Sequence, residues 1–275
     1  MDKTQIKWIF CDLDGTLLND RKEITQENIK AISLANSKGI GFSIATGRMP
    51  SMMLQEMKTI GTENDYAVCT DGAIIIKGDG VVLSKKAIEK KTVLTIFDTA
   101  RKYKMGLLIS NDDGILCYDK TIIEKSKDKW HIPLIEVNDD KLDGLNNESI
   151  YKISLVHPNH KYLETAKEYL ETITDKGVSC AFSTDVTLEI VTKGCTKGQG
   201  IKDLCNTRGI DIEDIVVIGD NMNDMSMFTE AGYTACPSNA CDEIKKVSDY
   251  VAVKDNNNSA IAEIINYFIK DEDRG

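Results

Sequence analysis

The sequence contains no long apolar run among its 275 residues. A transmembrane helix needs about 20 consecutive, mainly apolar residues, and no stretch approaches that length. The apolar run near the start ends at Asp12 and is too short for the core of a secretory signal peptide. We therefore expect no membrane partner and a location in the cytoplasm.

Closely spaced cysteine pairs are also missing. The eight cysteines are spread along the chain, and no two of them form a Cys-x-x-Cys pair. Zinc ribbons and thioredoxin-like redox sites depend on such pairs, so the sequence disfavours both classes of site. A chain of this length also has no need of disulfides to fold. The pattern favours reduced thiols, which agrees with a cytoplasmic location.

An excess of positive charge is absent as well. Lys and Arg total 34 against 44 for Asp and Glu, so the formal net charge is -10. Binding to a nucleic-acid backbone requires clustered basic residues that displace counterions, and we expect no nucleic-acid partner. What the sequence does have is 41% hydrophobic residues, enough to bury a core.

Short apolar runs alternate with helical patterns along the chain, which indicates an α/β fold with a mainly parallel sheet. Strands of this sheet are predicted at residues 7–11, 41–46, 66–70 and 215–218. Thr25 is placed to cap a helix that follows the first strand, and Gly39 is placed to end it.

The middle of the sequence has a different pattern, with strands and helices that suggest an antiparallel sheet. Its predicted strands lie at residues 106–109, 151–156 and 188–191. We therefore predict a discontinuous, Rossmann-like core formed by residues 1–82 and 191–275. Residues 83–190 are predicted to form an inserted α/β domain.

The strongest candidate for chemistry is the segment Asp12-Leu13-Asp14-Gly15-Thr16, which directly follows the first predicted strand. Open α/β sheets bind ligands at the carboxyl ends of their strands. Two carboxylates about 4 Å apart repel by roughly 4 kcal/mol at an effective dielectric constant near 20. A divalent cation with oxygen ligands offsets that repulsion. An Asp-x-Asp triplet alone can also simply cap a turn.

Three later motifs lie at strand ends or helix starts. Thr46-Gly47-Arg48 ends the second strand, where a hydroxyl and free amides can hold phosphate. Lys197 opens a helix, where it can neutralise phosphate charge. Asp220 and Asp224 follow the strand at 215–218 and suit Mg²⁺. Taken singly, the three motifs are also consistent with a turn, a surface lysine and a capped helix start.

Together, these four motifs resemble those of the haloacid dehalogenase-like phosphatases. The long insertion between the second and third motifs resembles the large α/β cap of the Cof-like subfamily, and the resemblance covers essentially the whole chain. It implies a Rossmann-like core with a cap domain and a Mg²⁺ cofactor. It also implies that the substrate is a small phosphorylated metabolite, such as a sugar phosphate.

The resemblance further implies a role for each matching position. Asp12 would be the nucleophile that forms an aspartyl-phosphate. Asp14 would protonate the leaving oxygen and then activate the hydrolytic water. The residues expected at the phosphoryl oxygens are Leu13, Thr46, Gly47, Lys197 and Asn223, and Asn223 could instead orient Lys197. The residues expected around Mg²⁺ are Asp12, Asp14 through its backbone carbonyl, Asp220 and Asp224.

Two segments depart from the family pattern. Asp71-Gly72-Ala73 stands where the family often has Asn-Gly-Ala, and an extra acid near the site could alter the preferred substrate or simply face solvent. The segment Asn256-Asn257-Asn258-Ser259 replaces an Asn-Glu-Asp-Gly-like turn, which leaves the shape of that loop open.

Two other functions remain as alternatives to a phosphatase. A phosphomannomutase-like enzyme would return the phosphoryl group to a sugar instead of water. A metabolite-binding regulator could use the same scaffold without catalysis, although such proteins usually lose the motif aspartates, which are present in this sequence. No pattern in the sequence indicates an oligomeric state.

Overall fold

The computed structural model describes residues 6–119, 134–145, 149–173 and 177–269. The chain divides into two compact units, Met1–Ser84 with Thr196–Gly275, and Lys85–Cys195. The division expected from the sequence has its breaks after residues 82 and 190.

Strands and α-helices of the described residues are numbered in chain order. The strands are β1 Trp8–Cys11, β2 Gly41–Ala45, β3 Tyr66–Cys69, β4 Ile74–Lys77, β5 Val82–Lys85, β6 Gly106–Asn111, β7 Gly114–Tyr118, β8 Leu134–Glu136, β9 Lys152–Val156, β10 Val178–Thr184, β11 Thr187–Thr192, β12 Ile215–Ile218, β13 Tyr233–Cys236 and β14 Tyr250–Val251. The α-helices are α1 Gln26–Ser37, α2 Leu54–Thr59, α3 Lys90–Tyr103, α4 Asp139–Gly144, α5 His160–Ile173, α6 Lys197–Arg208, α7 Met225–Phe228, α8 Asp242–Val247 and α9 Ala260–Ile269.

The first unit is built on a sheet of eight strands in the order β14-β13-β12-β1-β2-β3-β4-β5. The pairs from β14 to β3 are parallel, and β4 is antiparallel to β3. The central strands β1 and β12 are nearly continuous runs of buried apolar residues. Such runs are typical of parallel strands that are covered on both faces, and the predicted α/β class is confirmed.

Helix α1 follows β1 through a loop and begins where the sequence predicts. Thr25 is its N-cap, and the hydroxyl accepts a hydrogen bond from the backbone N–H of Asn28 at 3.4 Å. The helix ends before Gly39, whose φ of +81° suits glycine better than other residues. Ala31, Ile32 and Ala35 lie on its buried face.

The second unit contains a six-stranded sheet in the order β10-β11-β9-β6-β7-β8. Its pairs are antiparallel except for β7 and β8, as expected for the middle of the sequence. Helices α3 and α5 contribute apolar side chains to one core with these strands. That core includes Phe97 from α3, Ile109 from β6 and Leu170 from α5.

The described helices include none that is both long enough and apolar enough to cross a membrane.

Candidate active site

The pairing of β1 with its two neighbours brings three of the sequence motifs to one edge of the first sheet. Cys11, the last residue of β1, lies opposite Ile218 of β12 and Ile44 of β2. The backbone N–H of Asp12 continues the ladder and donates to the carbonyl of Ile218 at 2.8 Å. The residues that follow these strands therefore converge at the carboxyl ends of parallel strands, where α/β sheets bind ligands.

The loop after β1 turns back on itself directly after Asp14. The backbone N–H of Leu18 donates to the carbonyl of Leu13 at 2.8 Å, and Gly15 has a φ of +84°. A Cβ on Gly15 would lie 2.6 Å from Oδ2 of Asp220, so glycine is required there for close approach as well. The side chain of Leu13 is fully buried, and this residue can offer a ligand only its backbone.

Lys197 connects two carboxylates at the centre of the site. Its ammonium group donates to Oδ1 of Asp12 at 2.5 Å and to Oδ1 of Asp224 at 2.6 Å. Lys197 is only 1% exposed. Burial lowers the pKa of the ammonium, but the charges of Asp12, Asp224 and Asp71 outweigh that effect and raise the pKa above its usual value. The lysine is therefore charged and fixed between the carboxylates.

The position of Lys197 follows from the start of α6. Thr196 is the N-cap, and its hydroxyl accepts from the backbone N–H of Gln199 at 3.1 Å. Gly198 lies so close to α7 that a Cβ on it would be 1.9 Å from the carbonyl oxygen of Ser226. Close backbone packing on one side and the N-cap on the other place the lysine at the bottom of the site.

Three aspartates form a group that could hold a metal ion. One carboxylate oxygen from each of Asp12, Asp220 and Asp224 lies within 4.8 Å of the other two. Burial, with the charge of Asp224, raises the pKa of Asp12. Burial raises the pKa of Asp220 to about 6, and the charge of Asp224 adds to the effect. A bound cation would offset the negative charge and lower the pKa values of both carboxyl groups. Carboxylate oxygens are also the ligands that Mg²⁺ prefers.

The carboxylate oxygens of these aspartates differ in the hydrogen bonds that they accept. Oδ2 of Asp224 accepts from the backbone N–H groups of Asp220 and Asn221, at 2.9 and 3.2 Å, while its Oδ1 accepts from Lys197. Oδ1 of Asp220 accepts from the hydroxyl of Thr16 at 2.6 Å. Within the described residues, no hydrogen bond reaches Oδ2 of Asp12 or Oδ2 of Asp220. Those two atoms are the best candidates for direct metal ligands.

Asp14 is held by two basic side chains. Arg48 donates through Nε to Oδ2 and through Nη2 to Oδ1, both at 2.7 Å, and the ammonium of Lys22 donates to Oδ1 at 2.7 Å. Burial raises the pKa of Asp14, but the hydrogen bonds and charges of Arg48 and Lys22 outweigh it and bring the pKa below its usual value. The carboxylate remains 41% exposed, so a ligand can reach it.

Both partners of Asp14 fall outside the site residues that the sequence predicts. Arg48 belongs to a motif identified from the sequence, but no role follows from the motif alone. Lys22 is eight residues from Asp14 in the chain, and its backbone has a φ of +62°. Nothing in the sequence pattern points to Lys22, because its contact depends on how the loop folds back.

The remaining predicted residues lie at the same edge with different exposure. Thr46 is 2% exposed, and its Oγ1 accepts from the backbone N–H of Arg48 at 3.2 Å. Gly47 lies between Thr46 and Arg48, two residues after the end of β2. Asn223 is exposed in the 3₁₀ turn Met222–Asp224. Among the described residues, the hydrogen bonds of Lys197 go to aspartates and not to Asn223.

Asp71 lies beside the site and is only partly exposed. Its backbone N–H donates to the carbonyl of Thr46 at 3.1 Å, and its charge raises the pKa of Lys197. Thr70, Asp71 and Gly72 all have positive φ, of 52°, 52° and 89°. Positive φ is rare for a β-branched residue such as Thr, and strained backbone of this kind clusters at functional sites. Because the charge of Asp71 acts on Lys197, the acid at the family's usual Asn position lies near the charged groups of the site.

Comparison with known proteins identifies the family of the chain. Residues 9–265 match the sequence pattern of the haloacid dehalogenase-like hydrolase family. The 5-amino-6-(5-phospho-D-ribitylamino)uracil phosphatase YwtE of Bacillus subtilis is 29% identical over 293 residues, which cover 96% of this chain and 97% of that protein. A haloacid dehalogenase-like hydrolase from Bacteroides thetaiotaomicron has a TM-score of 0.85 at 23% identity, with 96% of this chain and 100% of that chain covered, and it shares the fold.

A longer relative is the chloroplastic endoribonuclease YBEY of Arabidopsis thaliana, which is 25% identical over 272 residues. The match covers 96% of this chain but 46% of that protein, so this chain spans about half the length of that relative. With residues 9–265 matched, the chain belongs to the haloacid dehalogenase-like hydrolase family and is an enzyme of that family.

Proposed function

We propose that this enzyme is a Mg²⁺-dependent phosphatase that hydrolyses small phosphorylated metabolites through an aspartyl-phosphate on Asp12. The observation that carries the proposal is the buried arrangement in which Lys197 donates to Asp12 beside Asp220 and Asp224. It combines a carboxylate nucleophile, a fixed cation and an acidic cluster for a metal. The Bacillus subtilis relative is also named as a phosphatase.

The residues that would hold Mg²⁺ are Asp12, Asp220 and the backbone carbonyl of Asp14, with Asp224 in support. When bound, the ion neutralises charge on the phosphoryl group and keeps the nucleophile ionised. Asp224 accepts from Lys197 and from two backbone N–H groups, which suits it to orient the others. This choice of ligands uses the carboxylate oxygens that accept no hydrogen bond within the described residues.

The first step in this proposal is attack by a carboxylate oxygen of Asp12 on phosphorus. The P–O bond to the leaving group breaks, and Asp14 donates a proton to the departing oxygen. This step needs the protonated form of Asp14, whereas the hydrogen bonds from Arg48 and Lys22 favour the ionised form. Lys197, Thr46 and the backbone N–H groups of Leu13 and Gly47 would hold the phosphoryl oxygens. Fixed donors of this kind stabilise the charge that spreads over those oxygens in the transition state.

The second step hydrolyses the aspartyl-phosphate and regenerates the enzyme. Asp14 now takes a proton from water, and the water oxygen attacks phosphorus while the bond to Asp12 breaks. The hydrogen bonds from Arg48 and Lys22 favour the ionised form of Asp14, which is the form needed for this step. Asn223 is exposed at the rim and could contact a phosphoryl oxygen of a bound substrate.

The substrate class and the setting are part of the same proposal. The name of the Bacillus subtilis relative includes a phospho-D-ribityl group, and we propose a sugar phosphate or similar metabolite for this enzyme. Residues 1–82 and 191–275 would form the catalytic core, and residues 83–190 the cap that chooses the leaving group. All eight cysteines are free thiols, which supports the cytoplasm as the compartment.

The test is phosphate release from a panel of phosphorylated sugars, polyols and nucleotides, with Mg²⁺ and with a chelator. We expect Mg²⁺-dependent release by the wild type and loss of at least about a thousandfold in kcat for Asp12→Asn, because the nucleophile is gone. Asp242→Asn makes the same chemical change at a residue that the proposal does not use, and should retain activity.

Several outcomes would contradict the proposal. Substantial turnover by Asp12→Asn would rule out Asp12 as the nucleophile. Transfer of phosphate to a sugar, with a requirement for a bisphosphate activator and no release to water, would favour the phosphomannomutase-like alternative. Binding of metabolites by wild-type protein without any turnover would favour the regulator.

A further inference from the structure

The loop that carries Asp14 has few internal hydrogen bonds near that residue. This segment, residues 13–20 and called the Asp14 loop, begins directly after the proposed nucleophile. Its internal backbone bond nearest to Asp14 joins the N–H of Leu18 to the carbonyl of Leu13. Gly15 follows Asp14 at a φ of +84°, and glycine has more conformational freedom than any other residue. Arg48 and Lys22 hold the carboxylate of Asp14 directly, so it is the backbone of Asp14 whose direction depends on further contacts from outside the loop.

Two asparagine side chains from distant parts of the sequence supply such contacts. Nδ2 of Asn239 donates to the carbonyl of Gly15 at 2.8 Å. Nδ2 of Asn256 donates to the carbonyl of Leu18 at 3.1 Å and to Oδ1 of Asp20 at 3.2 Å. The two asparagines thus bind backbone carbonyls at both ends of the turn that follows Asp14.

The asparagines also bind each other, so that they act as one unit. Oδ1 of Asn239 accepts from the backbone N–H of Asn256 at 2.9 Å. Asn256 is 4% exposed, and a buried amide whose partners are all placed holds its neighbours firmly. Its neighbour Asn257 strengthens the attachment, because Oδ1 of Asn257 accepts from the backbone N–H of Asp20 at 3.0 Å.

We propose that Asn239 and Asn256 are positioning residues that hold Asp14 in the direction needed for proton transfer. This inference rests on the proposed function, since it assigns Asp14 the role of acid and base. It also gives a purpose to Asn256 in a segment that departs from the family's usual turn. Within the described residues, neither asparagine has a hydrogen bond to Asp12 or Lys197, so both act through the loop.

The positioning role predicts different losses of activity on two kinds of substrate. An alkyl phosphate has a poor leaving group and needs a proton from Asp14 in the first step. The leaving group of p-nitrophenyl phosphate is a stable phenolate that departs with little help from an acid. General acid catalysis typically contributes about 10²- to 10⁴-fold, and misplacing the acid forfeits part of it. Because kcat/KM reports the first irreversible step, it should reveal the difference.

The experiment compares Asn256→Ala and Asn239→Ala with Asn258→Ala as the matched control. Asn258 lies in the same 3₁₀ turn as Asn256, but its side chain is exposed and donates to Asp255 at 2.7 Å. For glycerol phosphate, we expect kcat/KM to fall about tenfold to a hundredfold in the first two variants. For p-nitrophenyl phosphate, we expect a fall of less than about threefold. The control should match the wild type on both substrates.

Several results would overturn the proposal. Equal losses on both substrates would show that the asparagines maintain the site in general and do not position Asp14. The absence of any loss on glycerol phosphate would remove the role altogether. Asn239 is less buried than Asn256, so Asn239→Ala tests the idea even if Asn256→Ala fails to fold. Wild-type protein that cleaves neither substrate would instead overturn the proposed function, and the positioning role would fall with it.

Discussion

Lys197 places one positive charge between two buried carboxylates. Its ammonium compensates the negative charge of Asp12 and Asp224, each with an oxygen within 2.6 Å of the nitrogen. A buried ion pair need not stabilise a protein overall, because desolvation of both charges opposes folding. Removing one partner is nevertheless costly, since the remaining charges stay buried and unpaired.

The variant Lys197→Met tests this balance. We expect the free energy of unfolding of metal-free protein to fall by about 3–5 kcal/mol, because two buried carboxylates lose their cation. Urea denaturation with and without Mg²⁺ would measure it, and added Mg²⁺ should recover more stability in the variant than in the wild type. Lys202→Met, at a surface ion pair on the same helix, should cost less than about 1 kcal/mol. Equal losses in the two variants would contradict the expectation.

The identities of the principal site residues could be predicted from the sequence because each follows a strand or begins a helix. Asp12, Lys197, Asp220 and Asp224 are such residues, and the structure brings them together. Their roles in catalysis stay predictions. The contact of Lys22 with Asp14 could not be predicted, because it depends on a loop whose path is set by hydrogen bonds to distant residues.

The start of α6 shows how an element sets the position of a buried charged group. Thr196 begins the helix, Lys197 follows at once, and Gly198 allows the backbone of α7 to approach. A Cβ on Gly72 would lie 2.1 Å from the carbonyl oxygen of Thr196, so the other side is equally close. The helix start therefore has little space in which to move.

Gly198→Ala should disturb both stability and activity. Its Cβ would meet the backbone of α7 at 1.9 Å, and backbone cannot move aside as a side chain can. We expect a loss of about 1–3 kcal/mol in the free energy of unfolding, as for other overpacked sites, with a lower kcat because Lys197 shifts. Thermal unfolding and phosphate-release kinetics would measure the two effects.

Gly144→Ala is the matched control for this substitution. Gly144 lies at the end of α4, and a Cβ there would have no atom within 4 Å. Alanine favours helix over glycine by about 1 kcal/mol, so the control should be neutral or slightly more stable. A stable and fully active Gly198→Ala would mean that α6 can shift without moving Lys197.

The elements themselves were predictable where their hydrophobic pattern is long or purely apolar. Strand β12 matches the prediction residue for residue, and β1 begins one residue later than predicted. The short edge strand β14 has two residues, too few for any pattern to reveal. Its pairing with β13 depends on the rest of the sheet, which sequence periodicity does not describe.

In the molecule as a whole, the candidate site depends on segments that are far apart in the chain. The first unit joins Met1–Ser84 with Thr196–Gly275, so the loop after β1 and the loop after β12 meet only in the folded sheet. Asp12 and Asp220 therefore approach each other on folding. Although Lys197 donates to Asp12 and Asp224, this approach opposes folding in the absence of a metal ion, because three carboxylates lie close together.

Metal binding should consequently stabilise the folded chain, and the stability of the metal-free protein should depend on pH. The pKa of Asp220 is raised to about 6 from an ordinary 3.8, so folding favours its protonated form. A raised folded-state pKa gives stability that is present at low pH and lost as pH rises through about 6. This contribution should therefore decrease between about pH 4 and pH 6 in a chelator, and Mg²⁺ should suppress the decrease.

Thermal unfolding at several pH values would test both statements. A ligand at about a hundred times its dissociation constant stabilises the folded state by about 2.7 kcal/mol, which corresponds to a rise of several degrees in melting temperature. Asp220→Asn removes the carboxylate whose pKa is raised. This variant should therefore be at least as stable as the wild type in chelator, and Mg²⁺ should stabilise it little. An undiminished Mg²⁺ shift in Asp220→Asn would mean that the ion stabilises the chain elsewhere, because the acidic cluster would then lack one of its ligands.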